Sequence, residues 1–129
     1  VKLLRSNAGF TLIELMVVMS IMGILLTLAQ PSYKQATIKA REAALKSNLT
    51  TFRDVIDQYY ADQGVYPQSL NDLVEKGYLR QLPTDPFTRS DSTWVEIFLQ
   101  SEEGEEEGIY DVHSGSDLVA LDGTAYNEW

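Results

Sequence analysis

GFTLIELMVVMSIMGILLTLAQPSY, Gly9 to Tyr33, is an apolar run of bilayer length that carries one carboxylate, Glu14, near its start. A helix rising about 1.5 Å per residue from Phe10 to Ala29 spans the ~30 Å hydrocarbon layer of a bilayer. The run therefore predicts a single transmembrane helix. An ionised carboxylate in hydrocarbon costs several kcal/mol, so intramembrane acids generally face a partner or a functional path. Glu14 thus predicts a cationic partner close by. The competing reading is a cleaved secretory signal, with Lys2 and Arg5 as its charged start and Thr27 and Ala29 as a small-residue cleavage site. Such signals have shorter, uncharged apolar regions.

Beyond Pro31 the helical pattern resumes. Leu45, Leu49, Phe52, Ile56 and Tyr59 recur at alternating spacings of four and three, which marks one apolar stripe that needs a sheet to pack against. Ala36, Ala40, Ala43 and Ala44 favour helix with little bulk, and Gly64 offers a stop after Tyr60. Span and stripe together predict a stem of about 50 residues, roughly 75 Å long. Pro31 lacks an amide hydrogen and Gly23 is a weak helix former, so the stem is expected to bend or unwind between them.

The remainder predicts a small mixed head. PQSLNDLVEKGYL reads as a short helix with Ser69 as cap, Asp72 completing a capping box and Gly77 closing it. Pro83 and Pro86 keep LPTDPFT extended and irregular. Alternation from Trp94 to Leu99 predicts one strand and Gly108 to Val112 another. Glu102, Glu103, Glu105, Glu106 and Glu107 lie between them, at a hairpin tip that like-charge repulsion keeps solvated, or that attracts divalent cations or a basic partner. Trp129 is expected to pack onto the sheet. The fold class is α+β: a long N-terminal helix, transmembrane in its first half and amphipathic in its second, packed on a small antiparallel sheet.

Removing a leader and a span from 129 residues leaves about 95, enough for one small domain and no second one. The chain has no cysteine, so no disulfide staples the head. The formal charge of -9 is split unevenly. Within residues 34–53, Lys34, Lys39, Arg41, Lys46 and Arg53 face only Glu42, whereas residues 54–129 hold three basic groups against 17 acidic ones. A basic stem beside an acidic head can attract anionic lipid or the head of an adjacent copy, or can simply be a solvated helix. The sign of the head disfavours nucleic acid.

The N-terminal residues closely resemble the signature of type IV pilins and of type II secretion pseudopilins. The resemblance implies a leader at 1–9, cut between Gly9 and Phe10 by a prepilin peptidase on the cytoplasmic side, with the new N-terminal Phe10 methylated. It implies a transmembrane and assembly helix at 10–30 and a periplasmic head at 31–129. Glu14, fifth in the mature chain, sits where the family places its acid, and Gly23 and Pro31 match family positions. Cleavage would create an ammonium at Phe10 about one helical turn from Glu14, and in the family the acid neutralises the N-terminus of a neighbouring subunit. A buried charge left unpaired penalises misregistered assembly. The flanking charges, Lys2 and Arg5 against Lys34, Lys39 and Arg41, do not orient the span. The resemblance implies an inner-membrane protein with its N-terminus inside.

GVYPQSLNDLVEKGYLRQLPTDPF is similar to the loop joining stem and sheet in major pseudopilins, and many type IV pilins carry a C-terminal disulfide that this chain lacks. Both features favour the major pseudopilin (protein G type) of a type II secretion system, a subunit of a periplasmic filament that drives export of folded proteins. Its expected partners are copies of itself, the prepilin peptidase, an inner-membrane assembly platform, minor pseudopilins and membrane lipid. A surface pilus subunit, for adhesion, motility or uptake, is the alternative. Major pseudopilins commonly bind calcium in the C-terminal loop. Here Asp117 and Asp122, with Ser114, Ser116 and Thr124 nearby, supply oxygen donors of the type calcium takes, although the loop is shorter and its acids are spaced differently. The same Asp122-Gly123 pair also reads as a turn without any metal.

A membrane-tethered hydrolase using Asp117 and Asp122 is the distant alternative. No nucleophile motif, phosphate loop or metal-ligand spacing supports it. His113, the only histidine, is no catalyst by itself. Ser114 beside it on a strand would point to the opposite face.

Overall fold

The structure is a computed structural model that describes residues 9–129. Residues 1–8 of the expected leader at 1–9, with Lys2 and Arg5, lie outside the described residues. The chain forms two compact units, one reaching to Thr37 and the other Ile38–Trp129, and helix α1, Leu12–Gln63, contributes to both.

In the first unit α1 starts on a reciprocal cap. Thr11 Oγ1 accepts from the Glu14 N–H at 3.2 Å, and Glu14 Oε2 accepts from the Thr11 N–H at 3.4 Å, which satisfies two of the donors that a helix start leaves unpaired. Polar side chains in the apolar stretch are turned back on the helix: Ser20 Oγ donates to the Met16 carbonyl and Thr27 Oγ1 to that of Gly23. The unwinding expected between Gly23 and Pro31 is absent from the single chain, where α1 runs unbroken through both residues. Pro31 removes one backbone bond and crowds one carbonyl, at a cost of about 3 kcal/mol. Melting a turn there would release several backbone groups, each costing several kcal/mol in hydrocarbon.

In the second unit the predicted stripe is the buried face of α1, namely Leu45, Leu49, Phe52, Ile56 and Tyr59. It packs with Leu70, Leu73, Trp94, Ile109, Val112, Ala120 and Tyr126 into one core. Phe52 meets Trp94 edge-on, with centroids 5.0 Å apart. Helix α1 runs to Gln63 and stops at Gly64, the residue the sequence offered as its stop, which takes a φ of +74°.

Helix α2, Leu70–Glu75, carries the predicted capping box, with Asp72 Oδ2 accepting from the Ser69 and Gln68 N–H groups. It closes on Gly77, where Tyr78 N donates to the Leu73 carbonyl at 2.9 Å and Gly77 N to that of Val74 at 3.1 Å. This is the paired terminus that a left-handed residue allows.

Strands β1, Val95–Gln100, and β2, Glu106–His113, pair antiparallel. Glu106 and Glu107, expected at the tip, belong to β2, where Glu106 pairs with Gln100 and both side chains stay exposed. The register slips between Ile97 and Phe98 and again before Gln100. Such irregularities bend a short edge strand and raise its twist. After β2, Gly115 passes so close to Thr93 that a Cβ there would lie 2.0 Å from the Thr93 carbonyl oxygen. The chain then folds back through a Val119–Ala125 bridge to a 3-10 turn, Tyr126–Glu128.

Candidate functional site: the helix start and the C-terminal loop

Gly9 and Phe10 precede the first helical turn, and both are exposed. The Gly9–Phe10 peptide therefore lies in irregular, accessible backbone directly ahead of the Thr11 cap. The residues the sequence singled out here, Gly9, Phe10 and Glu14, stand together. Glu14 caps its own helix, a role the reading of it as a charge partner missed. The T-x-x-E spacing of Thr11 and Glu14 was the available signal. A carboxylate in the first helical turn also sits where the positive end of the helix dipole favours it. An ammonium created at Phe10 would adjoin the Thr11 N–H that Glu14 already accepts, so cap and charge pair draw on the same carboxylate, whose Oε2 the cap engages.

Past the cap, Leu12, Ile13, Met16, Ile24, Leu26 and Leu28 are all well exposed. The helix is long and apolar enough to cross a membrane, and none of its apolar window is buried within the chain. A helix that is apolar all round must be covered by lipid or by other helices. Gly23 faces open space, with nothing within 4 Å of where a Cβ would stand, which leaves room for close approach of a second helix. Thr37, the last residue of this unit, has its hydroxyl on the Tyr33 carbonyl.

The second group of candidates lies in the C-terminal loop. Ser114 is fully buried and donates its hydroxyl to Asp85 Oδ2. Asp122 is exposed, and its Oδ1 accepts from Thr124 N at 3.0 Å and Thr124 Oγ1 at 2.6 Å. The Thr124 hydroxyl and N–H hold the Asp122 carboxyl below the usual carboxylate range. Asp117 is exposed. Among the described residues no three His, Asp or Glu side chains gather into a group that could hold a metal ion. Calcium takes six to eight oxygens. The donor set at Ser114, Asp117, Asp122 and Thr124 does not fit that demand, because the Ser114 hydroxyl and one Asp122 oxygen are already engaged by partners of the chain itself.

Three charged residues hold this region, and sequence reasoning gave none of them a role. Asp85, fully buried, accepts from Phe87 N at 2.8 Å and Thr88 N at 3.3 Å through Oδ1, in addition to Ser114 through Oδ2. Its Asp-Pro context was a turn signal. Glu42, the one acid in the basic stem, accepts from Leu121 N at 3.0 Å and the Tyr126 hydroxyl at 2.8 Å. Burial and the Glu42 hydrogen bond push the Tyr126 phenol up to about 12.

Arg53 donates from Nε to Asp111 Oδ1 at 2.8 Å and from its terminal nitrogen to the Trp129 carbonyl at 2.5 Å. Burial alone would raise the Asp111 carboxyl, but hydrogen bonds from Arg53 and the Val112 N–H outweigh it and hold the group below its ordinary value. Trp129 stands edge-on to Tyr126, with Lys46 Nζ 4.7 Å from its ring centre. Two of the stem's cations, Lys46 and Arg53, are thus used inside the head.

Comparison with known proteins separates the two ends of the chain. Residues 4–29 match the model of the prokaryotic N-terminal methylation motif. Over most of its length the chain is similar to proteins named type II secretion system core protein G. It is 30% identical to that of Vibrio cholerae, over 83% of this chain and 88% of the relative. It is 32% identical to that of Escherichia coli K12, over 82% and 79%, and 35% identical to that of Pseudomonas aeruginosa, over 64% and 70%. No solved structure matches the chain.

Proposed function

The chain belongs to the type II secretion system core protein G family, a structural subunit of the pseudopilus, and from that premise we propose how its two ends serve the filament. The prepilin peptidase cuts between Gly9 and Phe10 and Phe10 is then methylated. The mature subunit sits in the bacterial inner membrane as a single pass, N-terminus cytoplasmic and head periplasmic. Copies leave the bilayer by packing their apolar helices against one another, at an inner-membrane platform and beside minor pseudopilins. The work is structural and not catalytic.

One observation carries this reading. The apolar side chains from Phe10 to Leu28 are exposed, and the only acid among them lies in the turn that follows the Gly9–Phe10 bond. Such a surface is costly in water and inert as a catalyst, but it suits a helix that exchanges lipid for neighbouring helices. Glu14 meets the Phe10 ammonium of the adjacent copy, and its Thr11 contact holds the carboxylate in place until that partner arrives. Gly23 permits close approach, and Pro31 makes the turn preceding it the weakest one to shift during packing.

Intact-mass and N-terminal mass spectrometry of the protein extracted from native membranes tests the proposal. The expected chain begins at methylated Phe10. A chain beginning near Gln30 would instead identify a secretory signal and remove the role assigned to Glu14, and an uncut chain would contradict processing altogether.

A further inference from the structure

We propose that the C-terminal loop of this chain is closed by its own hydrogen bonds in place of a bound calcium ion, with Asp85 and Glu42 as the two anchors. A cation cage needs carboxylate and carbonyl oxygens converging on one point. Here the acids that reach the loop converge on hydrogen-bond donors, which is the opposite chemistry.

At the near end the buried Asp85 carboxylate takes two backbone N–H groups of its own turn and the Ser114 hydroxyl. Ser114 Oγ then accepts from Ser116 N, and Ser116 Oγ from Leu118 N, both at 3.2 Å, so each hydroxyl fixes the next step of the chain. At the far end Glu42, reaching from α1, takes Leu121 N and the Tyr126 hydroxyl. Between the anchors the backbone closes on itself: Ala120 N donates to the Thr124 carbonyl at 2.7 Å and Tyr126 N to that of Leu118 at 3.2 Å. Phe87 stacks on Tyr126 with centroids 3.9 Å apart, joining the Asp85 turn to the far end.

Carbonyl oxygens of residues 118 and 124, obvious ligands for a loop cation, are therefore spent on N–H donors. So is the Asp122 oxygen that faces Thr124. A cation recruiting the same atoms would have to share them with these donors and turn them from the directions in which they are now held. The head consequently folds to the same stability with or without calcium.

Thermal melting of the full chain in detergent, followed by tryptophan fluorescence with excess chelator and then with excess calcium, tests this. The expected midpoint is the same in both, and Ser114→Ala and Glu42→Gln lower it equally in both. A calcium ion present at a hundred times its Kd would raise the midpoint of a domain this size by about 10 °C or more, and a calcium-dependent rise in the wild type would overturn the proposal. Unchanged midpoints in both variants would overturn it as well, since the anchors would then hold nothing.

Discussion

Replacing Phe52 by alanine should unfold a large share of head molecules at temperatures the native chain tolerates. Phe52 is 0% exposed and sits mid-stripe, with its ring edge-on to Trp94 at an interplanar angle of 70°. Truncating a buried phenylalanine costs about 3–5 kcal/mol, and loss of the edge contact, worth about 0.5–1.5 kcal/mol, places this site toward the upper end. Small domains hold only about 5–15 kcal/mol in total. At roughly 4–8 °C per kcal/mol for a domain of this size, the midpoint should fall by about 15–40 °C.

The assay is fluorescence melting of the full chain in detergent, with Trp94 as the main reporter. Phe52→Leu, which keeps most of the volume, should lose far less. Asp57→Ala, on the exposed side of α1, should lose almost nothing. A Phe52→Ala midpoint no lower than that of Asp57→Ala would refute the claim that this stripe is the face on which the head is built.

Glu14→Ala should leave insertion and cleavage intact while cutting filament yield severely, as read by shearing and immunoblotting; normal yield would remove the charge-pair argument. Tyr126 has a raised phenol value of about 12, so its protonated form contributes stability that is complete below the ordinary value near 10 and is lost as pH rises through 12. Alkaline melting curves should show that loss, and Glu42→Gln should weaken it. Asp111 has a lowered carboxyl value, so its contribution is present above about pH 4 and is lost as pH falls through the depressed value; Arg53→Gln should flatten the acid limb of the stability curve. Gly115→Ala should destabilise the head by about 1–3 kcal/mol or more, because the new methyl meets the Thr93 carbonyl oxygen and backbone must move. A melting midpoint equal to wild type would show that the close passage is not enforced in solution.

Where the pattern is local, the sequence carried it. The stripe from Leu45 to Tyr59 repeats at helical spacing, and Ser69, Asp72 and Gly77 form a self-contained helix with its own start and stop. The closure of the C-terminal loop was out of reach of that reasoning. Ser114 meets Asp85 across 29 residues, and Glu42 meets Leu121 and Tyr126 across 79 and 84, distances over which periodicity and turn rules say nothing. A lone acid in a basic stem was visible, but its partner was not. Of the bend or unwinding expected between Gly23 and Pro31, the unwinding is absent from the single chain for a different reason. Propensity rules count what proline takes from a helix, and not the larger cost of the unpaired backbone that melting would leave in an apolar segment. Glu14 shows the reverse case, since its spacing from Thr11 spelled out a cap that its placement in a membrane span had overshadowed.

A subunit of the pseudopilus is one on which protein export depends. Deleting its gene in the native cell and comparing exported proteins in the medium and the periplasm, with complementation by wild type and by Glu14→Ala, tests it most directly. Folded cargo should accumulate in the periplasm of the deletion strain, the wild-type gene should restore release, and Glu14→Ala should not. Undiminished release from the deletion strain, with loss of surface fibres instead, would contradict it.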